Sequence, residues 1–234
     1  MINNKGFSLI ELMVGITLSL ILIAAAVAIY LSSKQTNTVN QASIQVQDEA
    51  QAALFMLKND ISKTGWTNDD RTDVYSLGNP IENTSSEGGG GNPDTLSISF
   101  ESCDSSNARN DCRTDGSDST DCNGQNVAPN ARITNTYSVN NGALTCNGQP
   151  IISGVETFQV EYGFFNGTSY EYATYNNVTD FSRVSSIRVG LIVASDTPVP
   201  GGQAGTLKLF EQDFSFSDKR LRRAYAVSIP LLNN

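Results

Sequence analysis

One uninterrupted apolar run near the N-terminus constrains this chain more than any other feature. The run covers residues 7–31, and within residues 7–33 the only charged side chain is that of Glu11. A helix of these 25 residues is about 37 Å long, which exceeds the hydrocarbon core of a bilayer, about 30 Å thick. The run therefore predicts a transmembrane helix. Positive charge stays in the cytoplasm, so Lys5 predicts a cytoplasmic N-terminus and an exported chain from residue 32 onward.

Glu11 is the anomaly in this predicted helix. A carboxylate inside a membrane helix costs about 2.5–3.5 kcal/mol on insertion scales, so it is expected to have a partner and a function. The span contains no basic residue. A cut after Gly6 would create a cation, because the new α-amino group of Phe7 has a reference pKa near 8. That amine could meet Glu11 within one helix, about 6 Å away along the axis, or between the helices of neighbouring subunits.

The segment KGFSLIEL, residues 5–12, resembles the class III signal sequence of type IV pilins and type II secretion pseudopilins. The resemblance implies that residues 1–6 are a leader peptide, which a prepilin peptidase of the inner membrane removes between Gly6 and Phe7. It also implies methylation of Phe7 and a role for Glu11 in setting the register of each incoming subunit. Two alternatives are an ordinary secretory signal cleaved near Ala24 to Ala28, and a simple single-pass anchor.

Residues 32–65 predict an amphipathic continuation of the same helix. Apolar residues recur there at spacings of three and four, which is the period of one helix face. The predicted stripe consists of Val39, Ala42, Val46, Ala50, Ala53, Leu54, Leu57 and Ile61. Gly65 is a natural stop, so the helix is expected to end near Thr64 and to pack its apolar stripe on a globular head.

Residues 66–234 predict a β-rich head. Short β-type runs occur without intervening helical patterns, which favours an antiparallel sheet. The candidate strands are residues 95–100, 131–139, 155–165, 184–194, 206–216 and 223–231. Residues 82–93 are interpreted as a flexible loop, and residues 198–205 as a second loop. The expected fold is therefore α+β and pilin-like, with one long N-terminal helix packed on an antiparallel sheet.

Four cysteines fall in the head, at Cys103, Cys112, Cys122 and Cys146. An exported compartment is oxidising, so we expect two disulfides, with three pairings open. Zinc is disfavoured because the chain has no histidine and no closely paired cysteines. The aspartates between these cysteines are weak calcium candidates, and a solvated acidic loop is favoured over a metal site. The calcium candidates are Asp111, Asp115, Asp118 and Asp121.

Composition argues against enzymes and nucleic-acid binders. Without histidine, the usual Ser-His-Asp and Cys-His pairs cannot form. A net charge of −9 lacks the basic footprint of a dedicated nucleic-acid binder. No cofactor is predicted. The basic residues Lys219, Arg220, Arg222 and Arg223 are interpreted either as the start of the last strand or as a docking surface.

The overall plan of the chain resembles that of PilW-type minor pilins and, more distantly, that of J-type pseudopilins. This resemblance rests on DEAQAALFMLKNDISKTGW at the helix end, VETFQVEYGFF, SSIRVGLIVAS and the terminal RRAYAVSIPL. It implies a structural subunit that primes type IV pilus assembly with other minor pilins and the major pilin, at or near the pilus tip. It also implies a bacterial inner-membrane protein with a periplasmic head that later reaches the cell surface in the pilus. The alternatives are a J-type minor pseudopilin of type II secretion and a membrane-tethered tip adhesin or binding module.

Overall fold

A computed structural model describes residues 8–67, 79–103 and 119–232. One helix, α1 (Leu9–Ile61), runs for 53 residues, about 80 Å, without interruption. The predicted long N-terminal helix is confirmed. It ends three residues before the predicted stop, because the amides of Lys63 and Thr64 bond three residues back in a tightened last turn. Gly65 then turns the chain with φ of 78° and donates its N–H to the carbonyl of Ser99.

The second half of α1 buries one narrow stripe against the head. The buried apolar residues of this stripe are Ala42, Val46, Ala50, Ala53, Leu57 and Ile61. Three of the six are alanine, so the helix axis lies close to the strands that it crosses. Val39 and Leu54, at the edges of the predicted stripe, are only half-buried. The first half of the helix lies outside the head and is fully exposed.

The described part of the head contains ten strands, all paired antiparallel. They are β1 (Leu96–Glu101), β2 (Arg132–Asn140), β3 (Ala143–Cys146), β4 (Gln149–Ser153), β5 (Val155–Phe165), β6 (Tyr170–Ala173), β7 (Val184–Pro198), β8 (Gly205–Leu209), β9 (Gln212–Phe216) and β10 (Arg220–Pro230). Four strands form a first sheet in the order β1-β2-β3-β4, and four form a second in the order β10-β7-β5-β6, while β8 and β9 form a hairpin. The predicted α+β architecture is confirmed.

The hydrophobic core lies where both sheets meet the buried stripe of α1. β7 is a central strand of the second sheet, and its residues Ile187, Val189, Leu191 and Val193 are fully buried in this core. The apolar character of the segment SSIRVGLIVAS thus reflects its central position, as expected for a strand covered on both faces.

The prediction of one strand over residues 206–216 is wrong. The chain reverses at Phe210, whose φ is 54°, and β8 and β9 pair with each other. The hairpin packs on the outer face of the second sheet, where Leu209 and Phe214 cover Ile192. Gly190 permits this packing, since a Cβ there would lie 2.7 Å from Cδ1 of Leu209.

Residues 82–93 contain no helix or strand, as expected for a loop, but the first part of the loop is bonded to the edge of the first sheet. Ser86 pairs with Thr95, and the amide of Glu82 donates to the carbonyl of Ser97 at 2.9 Å. The start of the loop therefore lies beside β1 and supplies part of the bonding at its outer edge. Further along, the amide of Gly88 donates to the side chain of Asp94 at 2.8 Å.

Candidate assembly surface

The exposed half of α1 is the largest apolar surface of the described chain. Its most hydrophobic 18-residue window has a mean hydropathy of 2.7 and no buried residue, and it is the one membrane-length apolar helix in the described ranges. Leu9 and Ile10 are 75% and 71% exposed. A monomer in water would not leave so much continuous apolar surface uncovered, so lipid or other protein must cover it.

Glu11 stands in the first turn of this exposed helix. Two other polar side chains of the span bond within the helix, because Thr17 donates to the carbonyl of Val14 at 2.9 Å and Ser19 donates to that of Gly15 at 2.8 Å. Within residues 8–67, 79–103 and 119–232 the Glu11 carboxylate has no hydrogen-bond partner. The positive end of the helix dipole offers it partial compensation.

The predicted processing residues Gly6 and Phe7 lie outside the described residues. Their cleavage, the methylation of Phe7 and the pairing of its amine with Glu11 therefore stay predictions. On the described side, the amides of Glu11 and Leu12 donate to the carbonyl of Ser8, which is the N-cap, so the helix begins at Leu9, two residues after Phe7. Glu11 therefore lies in the first turn of the helix, four residues after the predicted new N-terminus in sequence.

The exposed helix is joined to the head through a buried carboxylate that the sequence analysis did not identify. Asp60, near the end of α1, accepts hydrogen bonds from the hydroxyl of Tyr137 at 2.5 Å and from Nδ2 of Asn135 at 2.6 Å. Burial and the charge of Asp60 raise the pKa of Tyr137 above its usual value, so the phenol stays protonated and remains a donor. Asp60 therefore fixes the helix to β2.

A disulfide extends this joint. The structure joins Cys122 to Cys146, with their Cα atoms 6.2 Å apart. The amide of Cys122 donates to Oδ1 of Asn135, whose amide group also reaches Asp60. Cys103 is disulfide-bonded as well, while Cys112 lies outside the described residues. The segment that begins at residue 119 is thereby fastened to β3 and, through Asn135, to the helix.

The calcium candidates receive no support from the described residues. Asp111, Asp115 and Asp118 lie outside them. Asp121 is described, and one of its oxygens accepts the amides of Asn123 and Gln125, which makes it the anchor of a tight turn. No group of three or more potential metal-ligating side chains occurs in the part of the chain that the structure describes.

The basic C-terminal segment begins the last strand, and its arginines are engaged within the head. Glu156 accepts from Arg220 at 2.7 Å and from Arg222 at 2.6 Å. Asp218 accepts a second pair of bonds from Arg222, and these hydrogen bonds hold the pKa of Asp218 well below its usual range. Arg223 donates to the hydroxyl of Ser43 on α1 at 2.9 Å. Arg220 and Arg222 are thus paired with carboxylates, whereas Arg223 bonds to a neutral hydroxyl.

A cavity of about 220 Å³ lies beside the start of β10, between that strand, β8 and the preceding loop. Its apolar lining includes Val199, Leu207, Phe216 and Leu221. The Arg222 guanidinium stacks over the Phe216 ring, with 4.2 Å from Cζ to the ring centroid. Arg222 already donates to the carboxylates of Glu156 and Asp218, so the cavity offers a bound group mainly apolar contact.

Comparison with known proteins gives two family matches that together span both ends of the chain. The family described as Type IV Pilus-assembly protein W matches residues 119–233, and the Prokaryotic N-terminal methylation motif matches residues 1–27. Comparison with curated protein sequences gives no significant match.

Among solved structures, the chain is similar to the Type IV-like pilin TTHA1219 from Thermus thermophilus. The TM-score is 0.51 at 18% sequence identity, and the alignment covers 80% of this chain and 96% of that chain. At this identity the likeness concerns the fold, which is that of one long N-terminal helix and an antiparallel β-sheet head.

Proposed function

We propose that this chain is a minor pilin that helps to prime assembly of a type IV pilus, because it is a type IV pilin-like protein with a PilW domain. The family and fold are those of structural pilins rather than enzymes. The observation that carries the proposal is the lone carboxylate of Glu11 on a fully exposed apolar helix. An unpaired carboxylate is costly in lipid, and a cation supplied by a neighbouring subunit would remove that cost.

In this mechanism a prepilin peptidase cuts between Gly6 and Phe7 while α1 anchors the chain in the inner membrane. The N-terminus is cytoplasmic and the head periplasmic. The Phe7 amine of one subunit then pairs with the Glu11 carboxylate of its neighbour. In a medium of low dielectric constant such a pair is strong and depends steeply on distance, so it sets the stagger between adjacent helices.

The position of the subunit follows from the same carboxylate. A subunit that receives the amine of a neighbour above it has a use for Glu11, whereas an outermost subunit has none. We therefore place this protein near the pilus tip but below the outermost subunit, in contact with other minor pilins and the major pilin. A type II secretion pseudopilin is less favoured, because the head matches the PilW family.

The experiment that tests this function compares two substitutions in the membrane span. Glu11→Val should leave the protein processed and membrane-anchored but reduce its incorporation into filaments. Thr17→Val is the matched control, since Thr17 bonds within its own helix and should assemble normally. Mass spectrometry should place the mature N-terminus at a methylated Phe7. Normal incorporation of Glu11→Val, an intact Met1 or cleavage beyond residue 24 would contradict the proposal.

Deletion of the gene separates assembly from binding functions. Loss of filaments supports an assembly role, while normal filaments that no longer attach to surfaces would point to a tip adhesin instead.

A further inference from the structure

Among the described residues, one edge of the second sheet is left open. β10 is the first strand in the order β10-β7-β5-β6, and within residues 8–67, 79–103 and 119–232 it pairs only with β7. An edge strand presents unpaired N–H and C=O groups that can accept another extended strand. At 11 residues, β10 is long enough to serve as such a template.

The register shows which groups of β10 face outward. The amide of Leu231 donates to the carbonyl of Ser185 at 2.9 Å, in the same register as the β10–β7 pairs. Antiparallel residues alternate between bonding to the partner strand and pointing away from it. Odd-numbered residues of β10 therefore bond to β7, whereas Ala224, Ala226 and Ser228 direct their N–H and C=O groups to the open edge.

The pairing of β7 with β5 follows the same alternation. The amide of Ala194, an even-numbered residue of β7, donates to the carbonyl of Gly154, on the β5 side. β7 thus uses its even-numbered residues for β5 and its odd-numbered residues for β10, as a central antiparallel strand must. Both pairings of β7 therefore indicate that the N–H and C=O groups of Ala226 point away from β7, to the open edge.

Other sheet edges in the described ranges are protected, and this one is not. The outer edge of β1 is saturated, since the amide of Ser99 donates to Pro80 and that of Glu101 donates to Trp66. β4 has five residues and contains Pro150, and β6 has only four residues. Along β10, by contrast, residues 224–229 contain no charge and no proline, and the side chains of Ala224, Ala226 and Ser228 are small and exposed. This stretch therefore lacks the charged side chains and prolines that block an edge; the arginines and the register shift of β10 precede it, and Pro230 follows it.

We propose that the β10 edge receives an extended strand from the head of a different pilin subunit in the assembly. Two observations define that strand. It should be uncharged opposite residues 224–228, which are themselves uncharged. It should also bring an acidic residue to Arg223, which is exposed and pairs with no carboxylate in the described chain, its guanidinium bonding only the hydroxyl of Ser43.

The location of the edge suits a neighbour that arrives along the helix. Arg223 bonds to Ser43 on α1, so the start of the free edge lies directly beside the helix that anchors the subunit. A second pilin that packs its helix against α1 is thereby carried to the β10 edge. Main-chain bonds to an added strand supply affinity, and the apolar cavity beside Leu221 can hold one anchoring side chain. This inference rests on the proposed assembly function.

The test uses the full-length protein in cells that produce pili. A photoreactive residue at position 226 should cross-link to an extended segment in the head of another pilin, identified by mapping the cross-linked peptides. The same residue at Glu171, on the opposite edge of the same sheet, is the matched control and should give no such product. Ala226→Pro removes one outward N–H and leaves the β7 bonds intact, as proline permits on an open edge.

With a probe at position 224, Ala226→Pro should lower the cross-link yield at least tenfold, whereas Ala226→Ser, which keeps the N–H, should not. If Ala226→Pro does not accumulate, Ala224→Pro with the probe at 226 serves the same purpose. An undiminished cross-link in a folded proline variant, cross-links only to a second copy of this chain, or no pilin product at all would overturn the inference. Filaments that survive gene deletion would defeat the assembly function instead, and the cross-link would still report on the edge.

Discussion

The hydroxyl of Tyr137 on β2 donates a 2.5 Å hydrogen bond to the carboxylate of Asp60 on α1, across 77 residues of sequence. Both side chains are buried, and Asn135 supplies a second donor to the same oxygen. The apolar stripe of α1 gives the helix–head contact its area, but apolar contacts are not directional. The Asp60 bonds fix which turn of the helix meets which strand.

The first prediction concerns this bond. Tyr137→Phe should lower the free energy of unfolding of the head by about 1.5–3 kcal/mol, because a buried carboxylate loses one of its donors. Tyr225→Phe is the matched control, since the buried hydroxyl of Tyr225 has no hydrogen-bond partner among the described residues. Urea unfolding should show little or no loss for the control. Equal losses in both variants would mean that the Asp60 bond adds nothing beyond burial.

The second prediction concerns pH. Asp94 is buried, and burial raises its pKa to about 6 although the amides of Gly88 and Val160 donate to it. A carboxyl whose pKa is higher in the folded than in the unfolded state contributes stability below about pH 4, and this contribution is lost as the pH rises through 6. A shift of this size corresponds to about 3 kcal/mol.

Asp94→Asn should be less stable throughout, because its Nδ2 faces an amide donor, but it should lack this pH dependence. The stability advantage of the wild type over Asp94→Asn should therefore shrink between pH 4 and pH 6, measured by urea unfolding at several pH values. A constant difference across that range would contradict the raised pKa.

The third prediction concerns the close approach of β4 and β5 to the helix. Gly154 has φ of 75°, and a Cβ there would collide with the Glu49 carboxylate and lie 2.9 Å from the carbonyl of Ala194. Gly142 has a similar φ of 73° but open space around it. Gly142→Ala should cost about 1–2 kcal/mol from backbone strain alone.

Gly154→Ala should cost about 1–3 kcal/mol more than Gly142→Ala, because overpacking is added to the same strain. Thermal unfolding of the two variants side by side measures the difference. Similar melting temperatures would show that Glu49 and the surrounding backbone can move aside at little cost.

The fourth prediction concerns the disulfide. The bond between Cys122 and Cys146 closes a loop with a sequence separation of 24 residues. Replacing both cysteines by alanine should lower the free energy of unfolding by about 3 kcal/mol, since the unfolded chain regains the entropy of that loop. The double substitution is preferable to a reductant, which would also break the bond of Cys103. Unchanged urea unfolding would indicate that Asn135 and the core already fix this segment.

Several parts of the head were accessible from sequence and several were not. Asn141-Gly142 and Asn147-Gly148 form the turns that flank β3, with positive φ at all four residues. Asn-Gly is a strong hairpin signal, so β3 and β4 could have been predicted. The turn at Phe210 carries no such signal, because nothing local marks phenylalanine for positive φ; its packing over Gly190 holds it there.

The pairing of the cysteines and the role of Asp60 could not be predicted from the sequence. The spacing of the cysteines left three disulfide pairings open. Cys122 bonds to Cys146 because the fold places Cys122 beside β3. Asp60 looks like any polar residue near a helix end. Its donors lie on β2, beyond segments whose path the local sequence does not encode.

The sequence by itself determined the exposed apolar helix, its single carboxylate at Glu11 and the spacing of the buried stripe, because hydrophobic length and periodicity are local properties. It also determined the buried character of β7. Tertiary structure alone decided that Tyr137 donates to Asp60 and that two arginines donate to Glu156. It also left the edge of β10 open, since each of these depends on which distant strands become neighbours, and on the alternation of backbone groups once they pair.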